Sequence, residues 1–276
     1  MKAEELFVNI QQKRSYLCIG LDTDYKKIPR ILLDQEYPVF EFNKRIIDAT
    51  ADLAVAYKPN LAFYESLGAA GIMSLEMTIT YLRKHHPDLF IIADAKRGDI
   101  GNTSRMYAHT YFNTLDCDAV TLSPYMGADS IKPFLEWDGK WIILLALTSN
   151  EGSSDFQQVE LPGDQLFYEH VINTSASWGT VDNTMFVVGA TKAAMFAKIR
   201  TLIPEHFLLV PGIGQQGGSL EEVAKNGMND QCGLLVNASR SILYADVTNR
   251  FEEAARQEAY RLQQQMEQTL KERALL

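Results

Sequence analysis

The chain has 276 residues, of which 46% are hydrophobic and 22% charged, an ordinary balance for a globular protein. Its formal net charge of −9 argues against generic binding to nucleic acid or to an anionic membrane, and an anionic ligand would need a local positive site. The length suits one large domain over residues 1–276, since a (β/α)₈ barrel typically takes about 250 residues.

Three further features indicate a cytoplasmic protein. The cysteines, Cys18, Cys117 and Cys232, lie in or beside apolar segments, and their odd number without a CxxC spacing predicts reduced thiols. Residues 1–6 are acidic and helix-like, which is not typical of a secretory signal. The longest apolar run, residues 141–147, is far shorter than the ~20 residues of a membrane span.

Short apolar runs, rich in Val, Ile, Leu and Ala, recur along the chain with little alternation. This pattern is typical of parallel strands that are buried on both faces. The predicted strands cover residues 16–21, 54–58, 90–94, 119–123, 141–147, 185–189, 207–211 and 233–237.

Helical patterns separate these strands, for example at residues 72–86, 102–113, 164–178, 192–202 and 219–226. Residues 249–276 predict one long terminal helix that packs on the barrel or on a partner. Asn249 and Glu252 resemble a capping box there. The helix has an apolar stripe: Ala255, Ala259, Leu262, Met266 and Leu270. The polar stretch 149–163 predicts a long mobile loop.

Eight strand–helix repeats indicate either a closed (β/α)₈ barrel or an open doubly wound sheet. The count of eight favours the barrel. So do the polar and glycine residues at the strand ends, where barrel enzymes hold their sites: Asp22, Lys58, Asp94, Ser123, Ser149, Gly212 and Arg240.

The third predicted strand runs directly into three charged residues, Asp94, Lys96 and Asp99. Side chains two apart in a strand share a face, so Asp94 and Lys96 should project the same way, with Asp99 in the turn beyond. Such a cluster is typical of a functional site. A buried ion network or three solvated loop charges would give the same pattern.

Lys58 closes the second predicted strand, next to the third in a barrel, and lysine is seldom buried without a partner. Alternating charges, Lys58, Asp94, Lys96 and Asp99, would keep both lysines protonated. At ~4 Å and an effective dielectric near ~20, each contact is worth on the order of 4 kcal/mol before desolvation. A lysine held in this way could stabilise a carbanion and then protonate it.

Two late loops predict a phosphate site. The seventh strand ends in Pro-Gly-Ile-Gly-Gln-Gln-Gly-Gly at residues 211–218, and the eighth in Ser-Arg-Ser-Ile at residues 239–242. Barrels often bind phosphate between these two loops. Glycines let backbone N–H groups approach an anion, and Arg240 supplies a guanidinium fork. A glycine-rich turn alone usually has no binding role. The prediction therefore depends on the two loops together and on Arg240 in the second of them.

Other polar residues have two readings each. Asp22 could accept hydrogen bonds from a sugar hydroxyl or cap a helix. Residues 148–150, Thr-Ser-Asn, could bind a heterocycle or serve a turn. His85, His86 and His109 lack metal-ligand spacing, which predicts structural or surface roles and no metal site.

Together these motifs resemble the orotidine 5′-phosphate decarboxylase family, most closely its longer bacterial branch. The resemblance spans residues 22–244 and rests on Lys58, Asp-x-Lys-x-x-Asp after strand three, the glycine-rich loop after strand seven and Ser-Arg-Ser-Ile after strand eight. It implies a homodimer of (β/α)₈ barrels with sites at the subunit interface, and no metal or organic cofactor. It implies conversion of orotidine 5′-monophosphate to UMP and CO₂, the last step of de novo pyrimidine synthesis.

The resemblance also implies residue roles. Lys96 would protonate C6, Asp94 would lie near the substrate carboxylate, and Lys58 would bind ribose and hold the network. Asp99, with Ile100 and Thr103, would serve the neighbouring subunit's site. The implied substrate contacts are Asp22 to ribose, Ser149 to the pyrimidine, and Gln216 (or its neighbour Gln215), Ser239 and Arg240 to the phosphate. Pro211, Gly214 and Gly217 are further implied substrate-binding residues.

Two alternatives remain. One is a sugar-phosphate decarboxylase or epimerase with the same strand-three motif and a metal ion, although Lys58 would disfavour a cation site. The other is a catalytically inactive barrel that senses a nucleotide, against which the retained lysines and aspartates argue.

Overall fold

A computed structural model describes residues 1–213 and 218–276. Its strands are β1 (Leu17–Leu21), β2 (Ala56–Pro59), β3 (Phe90–Arg97), β4 (Ala119–Leu122), β5 (Trp141–Leu147), β6 (Glu160–Leu161), β7 (Gln165–Leu166), β8 (Thr184–Val188), β9 (Leu208–Pro211) and β10 (Leu234–Ala238). All except β6 and β7 are parallel neighbours in one closed barrel, in which β10 pairs with β1. Strands β6 and β7 form a small antiparallel hairpin outside it.

Helices connect the strands around the outside of the barrel. They are α1 (Ala3–Lys13), α2 (Pro38–Thr50), α3 (Leu61–Glu65), α4 (Gly68–His85), α5 (Gly101–His109), α6 (Ala128–Leu135), α7 (Phe167–Ser175), α8 (Phe196–Leu202), α9 (Leu220–Gly227), α10 (Arg240–Leu243) and α11 (Phe251–Glu272).

The predicted fold class is confirmed. Each of the eight predicted strands occupies its expected place, with bounds that differ by at most three residues. The closed strand order decides for the barrel over the open sheet. The strands are almost wholly buried because side chains fill the barrel and helices cover it, and this accounts for their lack of alternation. The three cysteines are also buried and unpaired.

The terminal helix α11 buries the predicted apolar stripe against the rest of the chain. Thr269, near its end, hydrogen-bonds Tyr16 at the entry to β1 at 2.8 Å. The predicted capping box is wrong, because Arg250 occupies the N-cap position without a side-chain cap. Glu252 instead accepts a hydrogen bond from Arg45 of α2 at 3.2 Å.

The stretch 149–163 is not a structureless loop. It contains a short 3₁₀ helix (Glu151–Asp155) and strand β6. Gln157 ties it back to the end of β5, since its Oε1 accepts from the Thr148 N–H at 2.7 Å. None of the helices in residues 1–213 and 218–276 combines the length and apolar character that crossing a bilayer requires.

Candidate active site

A cavity of about 330 Å³ opens at the carboxyl ends of the barrel strands. This is the end at which (β/α)₈ barrels hold their active sites, and the volume suits a small molecule. The predicted site residues that line it are Asp22, Lys58, Asp94, Lys96, Ser149, Pro211, Ser239 and Arg240. Segments far apart in the sequence therefore meet at one cavity.

Three charged side chains form a tight cluster in this cavity. Lys58 Nζ donates to Asp94 Oδ2 at 2.8 Å, and Lys96 Nζ donates to Asp94 Oδ1 at 2.5 Å. Thr121 Oγ1, from β4, donates to the same Oδ1 at 3.0 Å. Asp22 Oδ1 lies 3.9 Å from Lys58 Nζ. The Asp94 carboxylate therefore binds the ammonium groups of both Lys58 and Lys96, and the Asp22 carboxylate lies near that of Lys58.

The electrostatics keep Lys58 and Asp94 charged. Burial alone would lower the pKa of Lys58, but the carboxylates of Asp94 and Asp22 outweigh it and raise that pKa above its ordinary value. Burial likewise pushes the pKa of Asp94 upward, but Lys58 and Lys96 outweigh it and hold the pKa well below its ordinary value. The Lys58 side chain is only 5% exposed, whereas that of Lys96 is 50% exposed. Lys58 thus serves as a buried anchor, and Lys96 presents its ammonium to the cavity.

Lys96 owes its position to an irregularity in β3. The pairing with β4 shifts between Ala93 and Arg97, so β3 forms a bulge there. Within the bulge Lys96 has φ 48°, in the left-handed region that residues other than glycine seldom adopt. Its N–H donates to Thr121 Oγ1 at 2.9 Å. The side chains of Asp94 and Lys96 meet through this bulge and not through the regular alternation that the sequence predicted.

Asp22 follows β1 and offers an unused acceptor. Its Oδ1 is buried and has no hydrogen-bond partner among the described residues. Gly20, two residues earlier, lets β1 approach β10, because a β-carbon there would lie 2.7 Å from Ser239 Cβ and 3.1 Å from Asn237 Oδ1. The close approach sets Asp22 and Ser239 on neighbouring strand ends.

The predicted phosphate end of the cavity is described in part. Arg240 is exposed, and within the described ranges it forms no ion pair. The buried Ser239 Oγ likewise lacks a hydrogen-bond partner there. Pro211 ends β9 beside them. These groups offer a cation and a hydroxyl to an anionic ligand. Three predicted contacts, Gly214, Gln216 and Gly217, lie outside the described residues.

The segment after β5 supplies a polar wall. Thr148, Ser149 and Asn150 all line the cavity. Thr148 Oγ1 accepts from Gln157 Nε2 at 2.9 Å, which anchors the segment. Gly189 lets this segment pack against the end of β8, since a β-carbon there would lie 2.7 Å from the Ser149 nitrogen.

Three predicted site residues do not line the cavity of a single chain. Ile100 and Thr103 are exposed, and Asp99, half-buried, accepts a hydrogen bond from the Ile100 N–H at 2.8 Å. Among the described residues Asp99 forms no ion pair. Within one chain the predicted series of alternating charges therefore joins Lys58, Asp94 and Lys96 but does not include Asp99.

Sequence reasoning missed three polar residues of the cavity wall, Asn60, Thr121 and Asn237. Each of the three has a feature in the sequence that could have indicated its place at the site. Asn60 follows Lys58 by two positions, and its backbone bridges to Asp94. Thr121 and Asn237 are polar residues inside otherwise apolar strands, which is unusual unless they face a polar site.

A closed (β/α)₈ barrel with charged, partly buried side chains in a cavity at its carboxyl end defines a barrel enzyme. Comparison with known proteins narrows this class. The chain belongs to the "Orotidine 5'-phosphate decarboxylase / HUMPS family", whose model matches residues 15–257.

Individual relatives match over nearly full length. The chain is 59% identical over 270 residues to the orotidine 5'-phosphate decarboxylase of Phocaeicola vulgatus, covering 98% of this chain and 99% of that protein. It is 58% identical over 276 residues to that of Parabacteroides distasonis, covering 100% and 99%. The solved structure of Leishmania donovani OMP decarboxylase superimposes with a TM-score of 0.83 at 36% identity, covering 98% of this chain and 99% of that one.

Proposed function

We propose that the protein decarboxylates orotidine 5′-monophosphate to UMP and CO₂, the last step of de novo pyrimidine synthesis. The observation that carries the proposal is the cluster of Lys58, Asp94 and Lys96 at the cavity of the barrel. Relatives of this chain over nearly its full length are named orotidine 5'-phosphate decarboxylase. Breaking the C6–CO₂⁻ bond leaves a carbanion in the ring plane, with no adjacent π-system to take the charge. Only electrostatic stabilisation remains, so the reaction needs a fixed cation beside C6.

Lys96 is the proposed cation and proton donor. Asp94 binds its ammonium at 2.5 Å, and the Lys96 side chain is half exposed and lines the cavity, so the ammonium can reach a bound ring while it stays oriented. Asp94 would lie near the substrate carboxylate. Lys58 would hold Asp94 from the buried side and contact the ribose. Once the C6–CO₂⁻ bond has broken and CO₂ has left, the proton moves from the Lys96 ammonium to the C6 carbanion.

The rest of the cavity suits a nucleotide. The unused Oδ1 of Asp22 fits a ribose hydroxyl, and Ser149 lies on the polar wall proposed for the pyrimidine. Arg240 and Ser239 fit the phosphate, together with the loop after β9. Pro211 at the end of β9 and, from that loop, Gly214, Gln216 or Gln215, and Gly217 would also bind the substrate.

A homodimer would complete the site with Asp99, Ile100 and Thr103 from the second subunit. Exposed apolar side chains on the segments after β3 and β4 support this proposal: Ile100 (51% exposed), Met106 (56%), Tyr125 (83%) and Met126 (48%). The two segments adjoin, because the Ser123 N–H donates to the Arg97 carbonyl at 2.8 Å. Exposed apolar side chains on two adjoining segments support a subunit interface here.

The test is turnover of orotidine 5′-monophosphate by the purified protein in excess chelator. We expect loss of substrate absorbance with release of one CO₂ per UMP, and none with Lys96→Ala protein purified alongside. Turnover only after metal addition would support the metal-dependent sugar-phosphate alternative. Binding of UMP without CO₂ release would support a nucleotide sensor.

A further inference from the structure

We propose that Tyr244 and Tyr64 are positioning residues that fix Asp22 for substrate binding. The inference rests on the proposed function and adds to it. Neither tyrosine lines the cavity. Each hydroxyl instead donates a hydrogen bond to a backbone carbonyl beside the Asp22 side chain, Tyr64 to that of Leu21 and Tyr244 to that of Asp22.

Tyr244 binds the turn after β1 from one side. Its hydroxyl donates to the Asp22 carbonyl at 2.9 Å and accepts from the Asp24 N–H at 2.7 Å. The residue immediately follows α10, and its own N–H donates to the Arg240 carbonyl at 3.1 Å. One side chain therefore joins the backbone of the proposed ribose-binding residue to the helix that starts with the proposed phosphate-binding residue.

Tyr64 binds the same turn from the other side. Its hydroxyl donates to the Leu21 carbonyl at 3.0 Å and accepts from Asn43 Nδ2 at 2.9 Å. Asn43 also accepts from Thr23 Oγ1 at 2.6 Å and donates to Thr78 Oγ1 at 3.0 Å. Tyr64, Asn43, Thr23 and Thr78 are almost fully buried. A buried polar network in which each member has partners holds one geometry.

The position of Asp22 makes this support necessary. Its Oδ1 has no hydrogen-bond partner among the described residues and lies 3.9 Å from Lys58 Nζ, beyond hydrogen-bond length. The carboxylate is therefore oriented mainly by its backbone, which the two tyrosines hold through the carbonyls of Leu21 and Asp22. Removing either hydroxyl should let the carboxylate shift, and small misplacements of such groups cost up to about 100-fold in activity.

A double-mutant cycle tests the inference. Tyr244→Phe and Tyr64→Phe are each made in the wild-type and in an Asp22→Ala background, and kcat/KM and the Kd of UMP are measured. We expect each change to lower kcat/KM by about 10- to 100-fold, and to weaken UMP binding, in the wild-type background only. With Asp22 truncated, neither tyrosine change should have a further effect.

Tyr16→Phe is the matched control. Tyr16 is a fully buried tyrosine immediately before β1, whereas Asp22 follows the other end of that strand, and the Tyr16 hydroxyl bonds Thr269 at 2.8 Å. It should lose stability without loss of kcat/KM or of UMP affinity. Equal losses in both backgrounds, or no loss in either, would overturn the positioning role.

Three further outcomes are also decisive. If one tyrosine variant does not fold, the other completes the cycle. If the wild type binds UMP without turnover, the proposed function fails, while the UMP cycle still decides the inference. If the wild type neither binds UMP nor turns over substrate, both fall.

Discussion

Replacing Asp94 by asparagine should expose how much of the site's free energy rests on one carboxylate. The change keeps the shape but removes the charge that holds Lys58 at 2.8 Å and Lys96 at 2.5 Å. At these distances and an effective dielectric near ~20, each contact is worth on the order of 6 kcal/mol before desolvation. Lys96 is half exposed and its share is screened, so the cost falls mainly on Lys58.

The variant leaves Lys58 buried beside Asp22 alone, at 3.9 Å. Breaking a buried pair on one side costs about 3–5 kcal/mol. The asparagine oxygen still accepts a hydrogen bond, so we expect a loss near ~3 kcal/mol at pH 7, which lowers Tm by roughly 6 °C in a chain of this size. Asp52→Asn is the control. It breaks an exposed pair with Arg256, at 2.7 Å, and should cost at most about 1 kcal/mol.

The difference between wild type and Asp94→Asn should also depend on pH. Asp94 has a lowered pKa in the folded protein, so its contribution is present above the unfolded pKa and is lost as pH falls through the folded pKa. Lys58 has a raised pKa, so its contribution is present below the unfolded pKa and is lost as pH rises through the folded pKa.

The difference in unfolding free energy should therefore be greatest between about pH 4 and pH 10 and should shrink on both sides. Denaturant titrations from acid to alkaline pH measure it. A difference below about 1 kcal/mol at pH 7, or one that does not change with pH, would refute the reasoning.

Two other predictions follow from the proposed site. Arg240→Ala should weaken UMP binding by about 10- to 100-fold and leave uridine binding unchanged, measured by calorimetry, because in the proposed site the guanidinium binds the phosphate, which uridine lacks; equal losses for both ligands would place Arg240 elsewhere. Asp99→Ala and Lys96→Ala chains, each inactive alone, should regain up to about a quarter of wild-type activity when mixed. About half of the dimers in an equal mixture would be hybrids, and each hybrid would have one intact site of two. No recovery after demonstrated subunit exchange would contradict a shared site.

The barrel itself could be predicted from the sequence because its strands are apolar runs, most of which end at or just before a polar residue. Lys58 and Asp94 illustrate this, since they lie towards the carboxyl ends of the neighbouring strands β2 and β3 and bind each other at 2.8 Å. The stripe on α11 was equally visible, because helical spacing brings its residues to one buried face.

Features that depend on tertiary contacts were hidden. The left-handed conformation of Lys96 depends on a bulge against β4, and no local pattern marks it. Tyr64, Asn43 and Thr78 lie on three separate helices and meet only in the fold. The capping box is absent because the helix has Arg250 and not Asn249 at its N-cap, and Glu252 binds Arg45 of another helix.

The proposed role of Lys96 is tested most directly by single turnover of bound orotidine 5′-monophosphate on Lys96→Ala protein, with UMP affinity measured on the same sample. The control is Lys84→Ala, an exposed lysine in the last turn of α4. We predict that Lys96→Ala slows CO₂ release by about 10⁴-fold or more, because the cation and the proton are both lost, while UMP affinity changes by less than about tenfold. Near-normal CO₂ release from Lys96→Ala would contradict the account.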